Sequence, residues 1–297
     1  MKDTESTETP TSIGVASAVD VAMPTSHSES VIRDTLEALE RSVSRSPVTV
    51  DDLIVVDDHS TDATVSIAER TAEEFGWGTT IVQQSTTLPE AREIAIDAVD
   101  TEWFLFLDDD VVMAESYLSA LVAGVSPLAG AVQGRKVTGT KSPSKWVHYR
   151  SMRGGTHATL LRHETVSGIR IPADLVVLED EFIRQYVENV QSKLWIFNHQ
   201  AVFYHQNQLR HPLGWKEGFL AGKYGLRPGY RMVVDVPASV IGGRNPLPYC
   251  ARSTGFLVGR LHRQVAHSPL GSLLEYAIGT QVAPSHPPSR GGRDEDG

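Results

Sequence analysis

The sequence predicts an α/β domain with a mixed, mostly parallel sheet and helices on both faces, followed by a helical C-terminal region. Short apolar strands alternate with helical segments through the first two-thirds of the chain. The run Trp103 to Leu107 consists of five large apolar residues, a pattern typical of a central strand buried on both faces. Beyond Gln206 the pattern changes to helical segments that Gly and Pro interrupt.

Composition restricts the class of protein. A chain of 297 residues with 40% hydrophobic content can form one large globular domain or two small ones. Its single cysteine, Cys250, excludes an intrachain disulfide and a cysteine-based metal cluster. No apolar run reaches the length of a transmembrane helix, and the net charge of -10 argues against a nucleic acid partner. We therefore expect a cytoplasmic protein.

The elements follow one another in a regular order. The predicted strands before the central one are Val19–Met23, Leu53–Val56 and Thr79–Gln83, and the helices between them are Val31–Val43, a segment after Ser60, and Pro89–Val99. After the central strand we expect a helix, a strand, a second helix and a last strand, at Glu115–Ala123, Ala129–Val137, Phe182–Val190 and Trp195–Phe203.

The ends of the chain differ in composition from its body. Residues 1–16 and 283–297 lack periodic apolar residues, so we predict two disordered tails around a catalytic domain at 17–205 and a helical region at 206–282. The polar stretch Lys141–Gly155 is a candidate mobile loop. Between Gln206 and His267 the sequence contains nine Lys or Arg residues and only two acidic ones, so the helical region is basic.

Acidic and polar residues follow several of the predicted strands. In a parallel sheet the carboxyl ends of the strands share one edge, so Thr25, the pair Asp57 and Asp58, and the run Asp108 to Asp110 should converge there. Three adjacent carboxylates repel one another and favour a hard divalent cation, Mg²⁺ or Mn²⁺. The alternative for each group is a turn or the acidic first turn of a helix.

Five segments of the chain resemble the motifs of a known protein family. They are VAMPTSHSE, LIVVDDHSTDAT, LPEAREIAI, WFLFLDDDVV and LEDEFIRQY, in that order. Together they resemble the inverting GT-A glycosyltransferases of family 2, which transfer a sugar from a nucleotide diphosphate sugar to an alcohol or a phosphate. The likeness covers about Val19 to His205 and implies the GT-A fold. The C-terminal third carries no matching motif.

The resemblance implies a nucleotide site. Pro24 and Thr25 match the end of the first strand, which contacts the base, and Asp57 and Asp58 match the acidic pair that reads it. The family often has Tyr-Asn next, whereas this chain has Ser26-His27. The remaining implied contacts are with the nucleotide and its ribose, from Arg92 and Asp109.

The resemblance also implies a metal and a base. Asp110 is the main candidate metal ligand, with Asp108 and His205 assisting, for Mg²⁺ or Mn²⁺. Glu179 and Asp180 match the acidic pair that contains the catalytic base, and we assign the base to Asp180. An alternative for this pair is a helix cap. His205 could be a structural residue and Arg92 a solvated one.

Other functions compete with this interpretation. Phe104 to Val112 imitates the strand and Asp-x-Asp of haloacid-dehalogenase phosphatases, although that strand normally opens the fold. A nucleotide-sugar pyrophosphorylase would need a Gly-rich phosphate loop, which the first strand lacks. A catalytically silent nucleotide- or glycan-binding module is the third alternative.

The basic helical region suggests an acceptor. The stretch Gly255–His267 is amphipathic and basic, so we expect a glycan or lipid-phosphate acceptor, such as a polyprenyl-phosphate. We further expect a peripheral contact with the inner face of the cell membrane. The alternative is that these helices pack on the sheet and direct their Arg side chains to water.

Overall fold

The structure is a computed structural model, and it describes residues 18–137, 154–206 and 214–266. Two compact units divide between His211 and Pro212. The predicted tails at 1–16 and 283–297 and nearly all of the polar stretch 141–155 lie outside the described residues.

The first unit contains eight strands within the described residues. They are β1 (Ala18–Thr25), β2 (Thr49–Asp57), β3 (Gly78–Gln83), β4 (Trp103–Leu107), β5 (Val111–Met113), β6 (Ala129–Val137), β7 (Ala158–Arg162) and β8 (Leu194–His205). Its helices are α1 (Ile32–Val43), α2 (Thr64–Phe75), α3 (Leu88–Asp97), α4 (Tyr117–Ala123) and α5 (Glu179–Gln185).

The strands form one sheet in the order β3-β2-β1-β4-β7-β6-β8-β5. Strands β1 to β4 are parallel, β7 runs antiparallel to β4 and β6, and β5 runs antiparallel to β8. This confirms the predicted mixed, mostly parallel sheet. The reversal of β7 has a consequence for the site, because it places the start of β7 beside the end of β4.

Strand β4 is the centre of the core. Its five residues are at most 1% exposed, as expected for a strand covered on both faces. Because side chains alternate along a strand, Leu105 packs into the core that α1, α2 and α4 share, whereas Phe106 faces the side that α3 covers. Helices therefore cover both faces, as predicted.

Several element boundaries differ from the expectation. The second strand begins at Thr49 rather than Leu53, because its exposed first residues still pair with β1. The three-residue strand β5 was not predicted. Strand β8 continues through Tyr204 and His205, which pair with β5 and so remain in the sheet. The predicted helix Phe182–Val190 begins earlier, at Glu179, and its last turn, Tyr186–Val190, is a π-helix.

The second unit is helical within its described residues, as expected. It contains α6 (Trp215–Tyr224), α7 (Gly229–Ile241) and α8 (Leu247–Ala266). Helices α6 and α8 pack with their backbones in close approach, since a Cβ atom on any of four glycines would overlap the backbone of the facing helix: Gly218, Gly222, Gly255 and Gly259. Such small-residue contacts allow dispersion along the whole crossing.

A buried ion pair supports the same unit. The guanidinium of Arg252 donates to the carboxylate of Asp235, and both residues are at most 4% exposed. Arg252 also lies 3.7 Å from Glu217, which pairs with Arg227 at 2.9 Å. Within the described parts of the chain, no helix is both long enough and apolar enough to cross a bilayer.

Candidate active site

The carboxyl ends of β1 and β4 meet through Asp109. Its carboxylate accepts hydrogen bonds from the hydroxyl of Thr25 at 2.6 Å and from that of Ser28 at 2.5 Å. Burial raises the pKa of Asp109, although these two hydrogen bonds oppose the shift. The backbone N–H of Asp58 donates to the carbonyl of Thr25, so the end of β2 joins the same edge.

The two residues of the predicted acidic pair differ in their surroundings. Asp57 is fully buried, and its carboxylate accepts from the backbone and hydroxyl of Ser60 and from the amide of Gln83. It therefore organises the turn after β2. Asp58 is partly exposed and accepts one backbone hydrogen bond, from Thr86 at 3.0 Å. Asp58 is consequently the member of the pair with oxygens open to a ligand.

The side chain of Arg92 is buried beneath the site. The residue is 1% exposed, its guanidinium stacks 4.9 Å above the ring of Phe106, and Nη2 faces three carboxylates. These carboxylates lie 3.4 to 3.5 Å away, on Asp108, Glu179 and Asp180. Burial alone would lower the pKa of Arg92, but the three negative charges outweigh it and raise that pKa. This burial excludes the alternative of a solvated surface arginine.

Glu179 and Asp180 open helix α5. The residue before them, Leu178, has φ 72, a left-handed conformation that costs a bulky side chain energy. No side chain caps this helix, so the pair does not act as an N-cap. The carboxylate of Asp180 accepts a hydrogen bond from the hydroxyl of Thr156. Burial, reinforced by the charge of Asp180, raises the pKa of Glu179 to about 7.

Asp108 and two histidines form a compact group. One candidate ligand atom from each of Asp108, His157 and His205 lies within 4.8 Å of the others. The imidazole Nδ1 of His157 lies 2.6 Å from Oδ2 of Asp108, and its Nε2 lies 3.8 Å from Oδ2 of Asp180. The His205 ring stands perpendicular to that of His157, with 4.6 Å between centroids.

Asp110 also lies close to His205. Its Oδ1 is 3.4 Å from Nδ1 of His205, whereas Nε2 of His205 is buried without a hydrogen-bond partner among the described residues. Burial, together with the nearby charges of His157 and Lys136, lowers the pKa of His205 to about 4. The ring is therefore neutral near pH 7 and can offer a lone pair.

Burial and neighbouring charges act in opposite directions on the pKa values of this cluster. Burial would raise the pKa of Asp108, but the His157 imidazole and the Arg92 guanidinium hold that pKa well below its usual range. For His157, burial lowers the pKa, yet the carboxylates of Asp108 and Asp180 raise it above the ordinary value. Burial lowers the pKa of Lys136 on β6, against the attraction of the same carboxylates.

These residues fit a divalent cation. Carboxylate oxygens and neutral imidazole nitrogens are the donors that Mn²⁺ and related ions accept, and one such nitrogen, Nε2 of His205, lacks a partner within the described chain. Asp180, across the Arg92 guanidinium from Asp108, adds a carboxylate suited to accepting a proton. These side chains are thus chemically suited to holding a cation and to accepting a proton.

The structure brings most of the predicted residues to one edge of the sheet. The sequence does not single out His157, because nothing in it indicates that β7 is antiparallel. That reversal places His157 beside Asp108, whose backbone N–H donates to the His157 carbonyl at 2.8 Å. Thr156, Ser28 and Lys136 were not predicted either, since single polar residues at strand ends have no distinguishing pattern.

Comparison with known proteins assigns the family. The model of "Glycosyl transferase family 2" matches residues 20–187, which is more than half of the chain. The chain belongs to glycosyl transferase family 2. This match confirms the resemblance carried by the five segments and favours a glycosyltransferase over the phosphatase alternative. No curated protein matches the sequence.

Solved structures agree with the fold of a family 2 chain. TarS of S. aureus, in complex with UDP, matches with 20% identity and a TM-score of 0.50, over 63% of this chain and 60% of that one. The mannosyltransferase PcManGT of Pyrobaculum calidifontis, in complex with GDP-Man and Mn²⁺, matches with 16% identity and a TM-score of 0.55, over 89% and 79%. Another TarS structure is matched over only 44% of its own length. These likenesses confirm the GT-A fold.

Proposed function

We propose that this family 2 chain transfers a sugar from a nucleotide diphosphate sugar to an acceptor with inversion at the anomeric carbon, assisted by a divalent cation. The observation that supports this most directly is the position of Arg92, whose Nη2 lies 3.5 Å from Asp108 and 3.4 Å from Asp180. The buried guanidinium of Arg92 thereby contacts both Asp108, a proposed metal ligand, and Asp180, the proposed catalytic base.

The chemistry needs both sides. The acceptor oxygen forms a bond to the anomeric carbon as the bond from that carbon to the diphosphate oxygen breaks, and the acceptor proton passes to a carboxylate of Asp180. The released nucleoside diphosphate keeps the electron pair of the broken bond. The hydrogen bond from Thr156 and the guanidinium of Arg92 hold the Asp180 carboxylate in one orientation.

The residues for the cation are Asp110, Asp108 and His205, and the ion is Mn²⁺ or Mg²⁺. When bound, the cation would offset the negative charge that develops on the departing diphosphate. We assign contact with the ribose to Asp109, and contact with the nucleobase to Pro24, Thr25 and Asp58. Asp57 shapes the loop that carries Asp58. Arg92 is too deeply buried to contact the nucleotide, so we assign it to the carboxylates.

The ligands of two structural neighbours suggest which nucleobases to test in the donor. PcManGT was solved with GDP-Man and TarS with UDP-GlcNAc, so uridine and guanosine diphosphate sugars are the first donors to test. A carboxylate such as that of Asp58 can accept from the N–H groups of either base.

The decisive experiment measures release of nucleoside diphosphate from a panel of donors with Mn²⁺, for the wild type and for Asp110→Ala. We expect turnover with one donor and its loss in the variant. Thermal-shift titration with UDP and GDP, with and without Mn²⁺, identifies the base, because a ligand of the folded state raises the melting temperature. A protein that neither binds a nucleotide nor turns over any donor would contradict the proposal and favour a catalytically silent glycan-binding module.

We further propose a lipid-phosphate acceptor, or a glycan carried on one, and a peripheral contact with the inner face of the cell membrane. One face of α8 exposes Leu247 near its start and an apolar stripe in its C-terminal half, at Leu257, Val258, Leu261 and Val265. Arg244, Arg260 and Arg263 are also exposed in this unit. An apolar stripe with neighbouring arginines suits the surface of an anionic bilayer.

Flotation with liposomes tests the membrane contact. The wild type should float with vesicles of anionic phospholipid and not with neutral ones, and the fraction bound should fall as salt screens the attraction. The variant Leu257→Asp/Leu261→Asp should stay in solution. Equal behaviour of both proteins, or binding that ignores salt, would contradict the contact and leave a soluble glycan acceptor.

A further inference from the structure

We propose that His157 is an additional ligand of the cation assigned to Asp110, Asp108 and His205, so that the site contains two imidazoles and selects a first-row transition-metal dication over Mg²⁺. The inference rests on the proposed function, since it concerns the cation of the same site. It goes beyond it in naming a ligand and a class of ion.

The spacing of the three side chains allows common ligation. Their candidate ligand atoms lie within 4.8 Å of one another, and the two imidazole rings are perpendicular with centroids 4.6 Å apart. Two ligands of one ion, each at about 2.1 Å, can be no more than about 4.2 Å apart. Side-chain adjustments of less than an ångström would therefore suffice.

His205 is arranged as a histidine ligand. Its side chain is 9% exposed, and its Nδ1 lies 3.4 Å from Oδ1 of Asp110. Metal-binding histidines commonly direct one ring nitrogen at a carboxylate, which orients the ring and leaves the other nitrogen for the ion. That other nitrogen, Nε2, is buried and has no hydrogen-bond partner in the described part of the chain.

His157 is held beside Asp108 by two contacts. Its Nδ1 lies 2.6 Å from Oδ2 of Asp108, and the backbone of Asp108 donates to its carbonyl at 2.8 Å. The ring thus stays beside Asp108 through both its side chain and its main chain. An ion coordinated by Asp108 would consequently lie near the imidazoles of both His157 and His205.

Two imidazoles favour certain ions. Mg²⁺ prefers an all-oxygen octahedral shell and gives up water reluctantly, whereas imidazole nitrogens suit Mn²⁺, Fe²⁺, Co²⁺ and Zn²⁺. For such a donor set, affinity should rise from Mg²⁺ to Mn²⁺ to Co²⁺. The nearby ammonium of Lys136 is the alternative source of positive charge, and it would leave the site without affinity for any of these ions.

The test uses the full chain without nucleotide, titrated with MgCl₂, MnCl₂ and CoCl₂. Pulsed electron paramagnetic resonance of the Mn²⁺-loaded protein detects imidazole nitrogens directly. We expect two nitrogens in the wild type, one in His157→Gln, and two in the control His199→Gln, which changes an exposed histidine of β8. His157→Gln should weaken Mn²⁺ and Co²⁺ by about 10- to 100-fold and Mg²⁺ by less than about 3-fold.

Several results would overturn the inference. They are a single nitrogen in the wild type, a signal that His157→Gln leaves unchanged, Mg²⁺ affinity equal to that for Mn²⁺, or no binding of any ion. The wild-type spectrum decides even if the variant does not fold. Sugar transfer with no nitrogen signal would reject this inference alone, whereas two nitrogens without transfer on any donor would reject the proposed function alone.

Discussion

Nη2 of Arg92 lies 3.4 Å from Oδ1 of Asp180 and 3.5 Å from Oδ1 of Asp108. One side chain of α3 therefore connects the first turn of α5 to the end of β4. The two proposed chemical tasks, cation binding and proton acceptance, share this buried guanidinium. Changes at Arg92 should accordingly affect the stability of the fold as well as the reaction.

Arg92→Leu should lower the free energy of unfolding by about 3–5 kcal/mol, because it leaves the buried carboxylate of Glu179 and the partly buried ones of Asp108 and Asp180 without their counter-charge. Urea denaturation monitored by circular dichroism measures the change. The control is Arg170→Leu, which removes a side chain that is 67% exposed and lies 3.5 Å from Asp97. It should cost no more than about 1 kcal/mol. Equal costs for the two variants would show that the Arg92 contacts contribute little.

Asp180→Asn should reduce transfer to a hydroxyl acceptor by about 10²- to 10⁴-fold, since an amide cannot take the proton. The fold and the thermal shift with nucleotide and Mn²⁺ should persist. Steady-state kinetics with Glu69→Gln, on the surface of α2, as the control checks this. A small effect would point to a phosphate acceptor, which arrives ionised, whereas a lost nucleotide shift would contradict the assignment as base.

Glu179→Gln should stabilise the metal-free protein above pH 7. The pKa of Glu179 is raised to about 7, so the native state holds this proton longer than the unfolded chain does. Stability of the wild type therefore falls as pH rises from about 4.5 to about 7, by at most about 1.4 kcal/mol per pH unit. The glutamine does not titrate and avoids this loss.

Urea midpoints at pH 4.5, 6 and 8 in the presence of EDTA measure the difference. The variant should gain roughly 1–3 kcal/mol over the wild type at pH 8 and nothing at pH 4.5. A constant difference at all three pH values would mean that Glu179 does not carry the proton.

Gly218→Ala should destabilise the helical unit by about 1–3 kcal/mol or more, because the new Cβ would overlap the carbonyl oxygen of Arg252. Gly229→Ala is the matched control, since its Cβ would meet its nearest neighbours at an ordinary 3.4 Å. That change should stay below about 1 kcal/mol. Thermal unfolding followed by far-ultraviolet circular dichroism compares the two, and similar melting temperatures would contradict the close packing of α6 and α8.

The fold could be predicted from sequence where the physical signal is local. The five apolar residues of β4 and the helical spacing in α1 depend only on burial, which composition reveals. Strand direction is different, because it depends on how the chain returns to the sheet. The sequence therefore gave no indication that β7 is reversed or that the short β5 pairs with β8.

The site residues, too, could be predicted only where the signal is local in the sequence. Asp58, Asp109 and Asp180 could be located because they stand directly after strands or at a recognisable acidic pair. The partners of these residues could not, because Arg92 reaches its three carboxylates only through tertiary packing. Likewise, His157 meets Asp108 only because β4 and β7 are antiparallel neighbours.

Only three residues, Asp108 to Asp110, separate β4 from β5, although these strands belong to different parts of the sheet. Four peptide steps from Leu107 to Val111 span at most about 14 Å, so the outer strands must curl back over the middle ones. The length of this link thereby sets the distance between His205, opposite Val111, and the aspartates before it. A single residue inserted between Asp108 and Asp110 would lengthen the connection and so loosen the spacing between Asp108 and the histidine that pairs with Val111.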